Sequence, residues 1–148
     1  METDELRAFV VEAHANGYAT SEAVETNDGR KAVEFERGDW RYVDRYVGSR
    51  DFLGAETVRY RGDPVWGMHY DGRLTGADAD PDAVYGFLRS ALARVPERSP
   101  FRGPDFERGE FAYESRVDGD LSRFEGTETI RAGERTVYEG PFAGGRID

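Results

Sequence analysis

Apolar side chains recur along this chain at two spacings, and the change from one to the other separates helices from strands. Over residues 4–16, Leu6, Phe9, Val10 and Ala13 fall at i, i+3, i+4 and i+7, the stripe of an amphipathic helix. Thr3 suits the N-cap, Asp4 and Glu5 the first turn, and Gly17 the C-terminal stop. A second stripe comprises Val84, Phe87, Leu88, Ala91, Leu92 and Val95. It is entered through Asp80-Pro81-Asp82, which supplies an N-cap, a proline at the first helical position and an acid in the opening turn. Pro96 ends it.

Elsewhere the period is two. Extended segments are predicted near 32–47, 51–61 and 64–71, and again near 109–117, 121–132 and 136–142. Residues 19–31 are polar and carry Asn27-Asp28-Gly29, which reads as a loop with a turn. Arg61-Gly62-Asp63-Pro64 makes a tight connection between hairpin arms, and Pro100-Phe101-Arg102-Gly103-Pro104 a stiff linker.

Alternation sorts the strand residues onto two faces. Trp40, Tyr42, Asp44 and Tyr46 share one, with Phe52, Gly54, Glu56, Val58 and Tyr60, then Trp66, Met68 and Tyr70. In the second half that face holds Phe111, Tyr113, Ser115 and Val117, then Phe124, Gly126, Glu128 and Ile130, then Tyr138, Gly140 and Phe142. The opposite parity holds Arg41, Arg45, Arg59, Glu114, Arg116, Thr127, Thr129 and Arg131, a solvated face. The aromatic face is therefore expected to meet the helices.

Residues 35–72 and 106–144 read as two copies of one segment. Phe35-Glu36-Arg37-Gly38-Asp39-Trp40 answers to Phe106-Glu107-Arg108-Gly109-Glu110-Phe111, and Gly54-Ala55-Glu56-Thr57 to Gly126-Thr127-Glu128-Thr129, at an offset of 71 or 72. Such a repeat is expected where one supersecondary unit is used twice and neither copy buries its own apolar face. The prediction is an α+β fold in a single domain spanning 1–148, with repeat 1 about 1–72 and repeat 2 about 80–144. An α-β-β-β unit used twice gives an antiparallel sheet of about six strands or slightly more, both helices on one face, and an approximate two-fold axis.

Composition narrows the function classes. Acids outnumber bases 30 to 20, and Lys31 is the only lysine. That balance, with two isoleucines, points to a protein of a salt-loving organism, whose self-repulsion molar salt screens over roughly 3 Å. An acidic surface disfavours direct nucleic-acid binding, which rests on a basic patch. Zero cysteines exclude disulfides, thiol catalysis and thiolate metal sites. With neither an apolar stretch long enough to span a bilayer nor a signal-peptide pattern, the expected location is the cytoplasm, away from membranes.

Three carboxylates stand on the apolar face: Asp44, Glu56 and Glu128. A buried carboxylate must be hydrogen-bonded, paired or turned to a cavity. Glu56 and Glu128 recur in both copies, which suits a shared architectural task, each accepting hydrogen bonds within its own half from tyrosine, tryptophan, loop amides or a linker arginine such as Arg102. Asp44 is replaced by Ser115 in the second copy and so is the better candidate for a function. Gly54 and Gly126 are expected to leave room beside the acids. Trp40, Tyr42, Asp44, Tyr46, Glu56, Trp66, Met68 and Tyr70 are then the candidate ligand-binding residues of a small apolar or aromatic molecule.

Other constellations carry less. Asp78-Ala79-Asp80-Pro81-Asp82 lacks the glycine and closing glutamate of a calcium loop and reads as a helix start. His69 has solvent-face parity, and His14 flanks the first stripe as a helix-edge residue. No metal or cofactor motif, nucleophile elbow or phosphate loop is present. The leading expectation is a non-enzymatic small-molecule-binding or sensor module. A protein-interaction or oligomerisation domain with a fully packed core is the alternative, and an enzyme using Asp44 or Glu56 as general acid/base the third.

Gly38 to Gly48, Phe52-Leu53-Gly54-Ala55-Glu56, Pro64 to Gly72, Phe101-Arg102-Gly103-Pro104 and Tyr138 to Ile147 carry a family resemblance. The chain resembles a family of uncharacterised prokaryotic domains, some of whose members sit behind a Cro/CI-type helix-turn-helix in transcriptional regulators. The resemblance implies no activity for particular residues. Residues 1–34 are expected to hold one helix and no helix-turn-helix, so a DNA-linked role would need a separate partner.

Overall fold

A computed structural model describes residues 3–19, 23–76, 79–93, 101 and 105–148. Among them, nine strands form one antiparallel sheet: β1 (Val24–Glu25), β2 (Lys31–Arg37), β3 (Trp40–Gly48), β4 (Phe52–Tyr60), β5 (Asp63–Leu74), β6 (Phe106–Arg108), β7 (Phe111–Asp120), β8 (Arg123–Ala132) and β9 (Arg135–Arg146). Their order is β1-β2-β3-β4-β5-β9-β8-β7-β6, so two meanders meet along their last strands, β5 and β9. Helices α1 (Thr3–Ala19) and α2 (Pro81–Leu92) touch each other. They pack on the face that alternation assigned to the aromatics, making this an α+β fold dominated by sheet.

One extra strand comes from a turn inside the segment read as continuous over 32–47, and β6 lies ahead of the segment expected near 109. Residues 32–47 are a hairpin, turned at Gly38 with φ 59°, and β6 turns into β7 at Gly109 with φ 61°. A left-handed residue within a strand run reverses the chain, and glycine takes that conformation without a Cβ clash. The polar segment 19–31 contributes two residues to the sheet as β1, besides its turn at 27–28. Bulges interrupt β4 at Val58/Arg59 and β8 at Ile130/Arg131.

Each helix drives a phenylalanine onto an aromatic pair of the sheet. Phe9 of α1 stacks on Phe35 and Trp40, with ring centres 5.8 and 5.2 Å away, and Phe87 of α2 lies against Phe106 and Phe111 at 5.4 and 5.3 Å. Leu6, Phe9, Val10 and Ala13 are fully buried, and full burial of one large apolar side chain stabilises by about 1.5–3 kcal/mol. The Asp80 side chain caps α2 by accepting from the Asp82 N–H at 3.1 Å, as expected of Asp80-Pro81-Asp82. Gly17 does not stop α1, which runs on to Ala19. Asp78 and most of the 100–104 linker, including Arg102, lie outside the described residues.

Candidate functional site

All three inward carboxylates are buried, and each meets a polar partner. Glu128, on β8, accepts from the hydroxyls of Tyr113 on β7 and Tyr138 on β9, at 2.6 and 2.8 Å. Strand register places both tyrosines beside it: Glu128 pairs with Ser115, two residues from Tyr113, and with Gly140, two from Tyr138. Glu56, on β4, instead meets α1, with His14 Nε2 2.5 Å from Glu56 Oε1 and neither side chain exposed. His14 is therefore no helix-edge residue. It lies at i+4 from Val10 and i+8 from Leu6, on the buried stripe itself, with its ring edge-on to Tyr42 and Trp66.

Asp44 is 8% exposed and accepts from the Tyr70 hydroxyl at 2.6 Å. Burial, then the Asp44 charge, raises the Tyr46 hydroxyl above its ordinary range. On the same side, Phe52 lies edge-on to Tyr70 and to Tyr85 of α2, whose hydroxyl donates to the Arg50 carbonyl. Burial also raises the Tyr85 hydroxyl, with Asp51 adding to the effect. Tyr46, Phe52, Tyr70 and Tyr85 are each half-buried, with Phe52 and Tyr85 linked to Asp44 through Tyr70.

The remaining candidates are packed more deeply. Tyr42, Trp66 and Met68 lie in the core beneath α1, and the Trp66 indole donates to the Leu121 carbonyl at 3.0 Å. Trp40 is half-buried between Phe9 and Tyr60. The eight predicted residues thus split into a packed group (Tyr42, Glu56, Trp66, Met68), a flanking Trp40, and the Asp44, Tyr46 and Tyr70 cluster. Phe52 and Tyr85 join that cluster. Phe52 had the right parity, while Tyr85 sits in the second helix with no spacing signal that ties it to a distant strand.

The room expected beside Gly54 and Gly126 is filled. A Cβ on Gly54 would meet the Tyr70 hydroxyl at 2.5 Å, and one on Gly126 would meet Phe142 Cζ at 2.6 Å. Each glycine is the floor on which an aromatic ring from the next strand lies. That contact lets Tyr70, on β5, reach over β4 to Asp44 on β3. A concavity of about 860 Å³ lies on the opposite face of the sheet, between His69, Asp71, Arg116, Asp118, Glu125 and Thr127. His69 is exposed there, as its parity predicted.

Among the described residues, no helix is long and apolar enough to cross a membrane. No curated protein and no solved structure matches the chain. Residues 44–147, from Asp44 through the last strand, match the family described as a domain of unknown function, DUF5680, and the chain belongs to that family.

Proposed function

We propose that this protein is a non-enzymatic small-molecule-binding or sensor module whose ligand is anchored by Asp44. One observation carries the reading: Asp44 and the Tyr70 hydroxyl stand at the edge of the core inside a set of half-buried rings, Tyr46, Phe52 and Tyr85, while their neighbours are fully packed. Aromatic faces hold a flat ligand by stacking, and the carboxylate orients a donor or cation on it. Tyr46, half-buried beside them, offers a further hydroxyl. The rest of the predicted set, Tyr42, Glu56, Trp66 and Met68, holds the floor beneath.

Internal duplication is part of the same proposal. It is supported by a strand order that reads alike outward from β5 and β9, by bulges at Val58/Arg59 and Ile130/Arg131, and by the Glu56 and Glu128 positions. A site that departs from the repeat, as Asp44 against Ser115 does, is where one copy takes on a task the other lacks. The acidic, lysine-poor composition fits a salt-loving source, and the resemblance to regulator-fused domains fits a sensor acting beside a separate DNA-binding partner.

Native mass spectrometry of the purified protein, before and after incubation with a library of aromatic amines, tests the reading. Wild type is expected to carry a bound mass that Asp44→Ala loses while its circular dichroism is unchanged. A wild-type protein that binds nothing, or an Asp44→Ala variant that binds equally well, refutes it. The packed Tyr42, Trp66 and Met68 favour the alternative, an interaction or oligomerisation domain, which then moves ahead.

A further inference from the structure

We infer that the sheet face turned away from the helices is a self-complementary surface on which a second copy of this chain docks, face to face, about a two-fold axis along the strands. This surface lies opposite the ligand site and does not depend on it. The described residues include four exposed large apolar side chains, Val24, Val47, Leu53 and Ile147. All four are on this face. Val47 lies directly opposite Leu53, 44% and 58% exposed. Val24 is opposite Ala32, itself opposite Arg45, and cross-strand partners point the same way. The Ile147 side chain reaches toward Gly67, close to where a Cβ on that glycine would stand. The other face is covered by α1 and α2, so exposed apolar side chains fall here, and the register sets Val47 and Leu53 side by side.

Charge supplies the orientation. One transverse row runs across six strands through directly opposed residues: Arg45, Ala55, His69, Ala143, Glu125 and Asp118. It is cationic at one end and anionic at the other, with Ala55, His69 and Ala143 between. The contrast extends around both ends. The trough over β3 and β4 is lined by Arg41, Arg45 and Arg59 and by no acidic residue, while the groove beyond β9 holds Asp71, Asp118 and Glu125 against a single arginine. Arg41 is paired with Glu34 and Glu36 of β2, so the contrast rests on Arg45 at one end of the row and on Glu125 and Asp118 at the other.

A two-fold axis along the strands lays the row of one copy over the reversed row of the other, so Arg45 faces the Glu125–Asp118 end twice per dimer. An axis across the strands would set arginine on arginine, which like-charge repulsion disfavours. Ala55 and Ala143 are the small positions of the row, and sheets packed face to face lie about 10 Å apart.

Sedimentation velocity of the full chain over a range of concentrations tests this. Wild type is expected to form a concentration-dependent dimer. Arg45→Glu and Asp118→Arg should each weaken it on the order of 100-fold, because every substitution acts at two symmetric contacts. The double variant Arg45→Glu/Asp118→Arg should regain most of the wild-type affinity. Both positions are exposed, and circular dichroism verifies that each variant keeps the fold. A wild type that is monomeric throughout, single variants that dimerise like wild type, or a folded double variant that stays as weak as the singles would each overturn the inference.

Discussion

Glu56 and Glu128 occupy matching places on β4 and β8, both buried, yet their partners differ in kind. Glu128 is satisfied within the sheet by Tyr113 and Tyr138. Glu56 reaches out of the sheet to His14 on α1. The helices show the complementary difference. Leu6, Phe9, Val10, Ala13 and His14 have the same spacing as Val84, Phe87, Leu88, Ala91 and Leu92, so leucine in α2 stands where α1 carries histidine. Helix α1 is therefore latched by a buried polar contact as well as by apolar packing, whereas the buried stripe of α2 is apolar throughout. Glu56 thus fixes a helix, and Glu128 ties three strands together.

Giving α1 the α2 residue should produce the largest effect. His14→Leu keeps the apolar bulk but withdraws the Glu56 partner, and breaking a buried pair from one side costs about 3–5 kcal/mol. Urea denaturation should show that loss. His14→Leu combined with Glu56→Met should recover most of it, because an apolar replacement of both partners leaves no carboxylate to desolvate. If the single variant unfolds at the wild-type midpoint, the latch has no energetic content and the contrast between the helices fails.

A smaller effect is expected in the second half. Glu128→Ala withdraws the acceptor from two tyrosine hydroxyls and should cost about 1–3 kcal/mol. Tyr113→Phe, which removes one of the two donors, should cost about 1 kcal/mol. Hydrogen exchange sharpens the comparison. His14→Leu should release protection selectively in α1, and Glu128→Ala across β7, β8 and β9. Uniform loss in both variants would mean that the two carboxylates do the same work.

The smallest expected effect concerns Tyr46. Its folded-state pKa is raised by burial and by Asp44, so the folded chain holds that proton to higher pH than the unfolded chain does. Stability should fall as pH climbs past about 10, where the unfolded tyrosine ionises. Tyr46→Phe should flatten that alkaline decline and leave the neutral-pH midpoint nearly unchanged. An identical alkaline slope in both proteins would detach Tyr46 from the Asp44 cluster.

Much of this was legible in the chain because burial imposes a period. The stripe from Leu6 to Ala13, the cap at Asp80 and the inward parity of Glu56 and Glu128 are each decided by neighbours a few residues away. Partnerships were not. His14 had helix spacing in its favour, but its acceptor lies 42 residues on, and a histidine on an apolar stripe says nothing of what it meets. Gly54 was readable as a gap in the side-chain row, but not as a gap filled by Tyr70 from the next strand. Strand limits failed at Gly38, where a two-residue turn splits the segment 32–47 and the alternation resumes almost unbroken beyond it, and at β6, three residues too short to show a period of their own.

The pairing of β5 with β9 places residues 135–146 in the middle of the sheet, beside strands made much earlier. During synthesis, β5 therefore waits with an open hydrogen-bonding edge while about 60 further residues are added, on the order of several seconds at cellular elongation rates. An unpaired edge of that length invites pairing with another nascent chain. Expression yield and inclusion-body formation should accordingly track the elongation rate across the segment between β5 and β9 more closely than the stability of the finished fold.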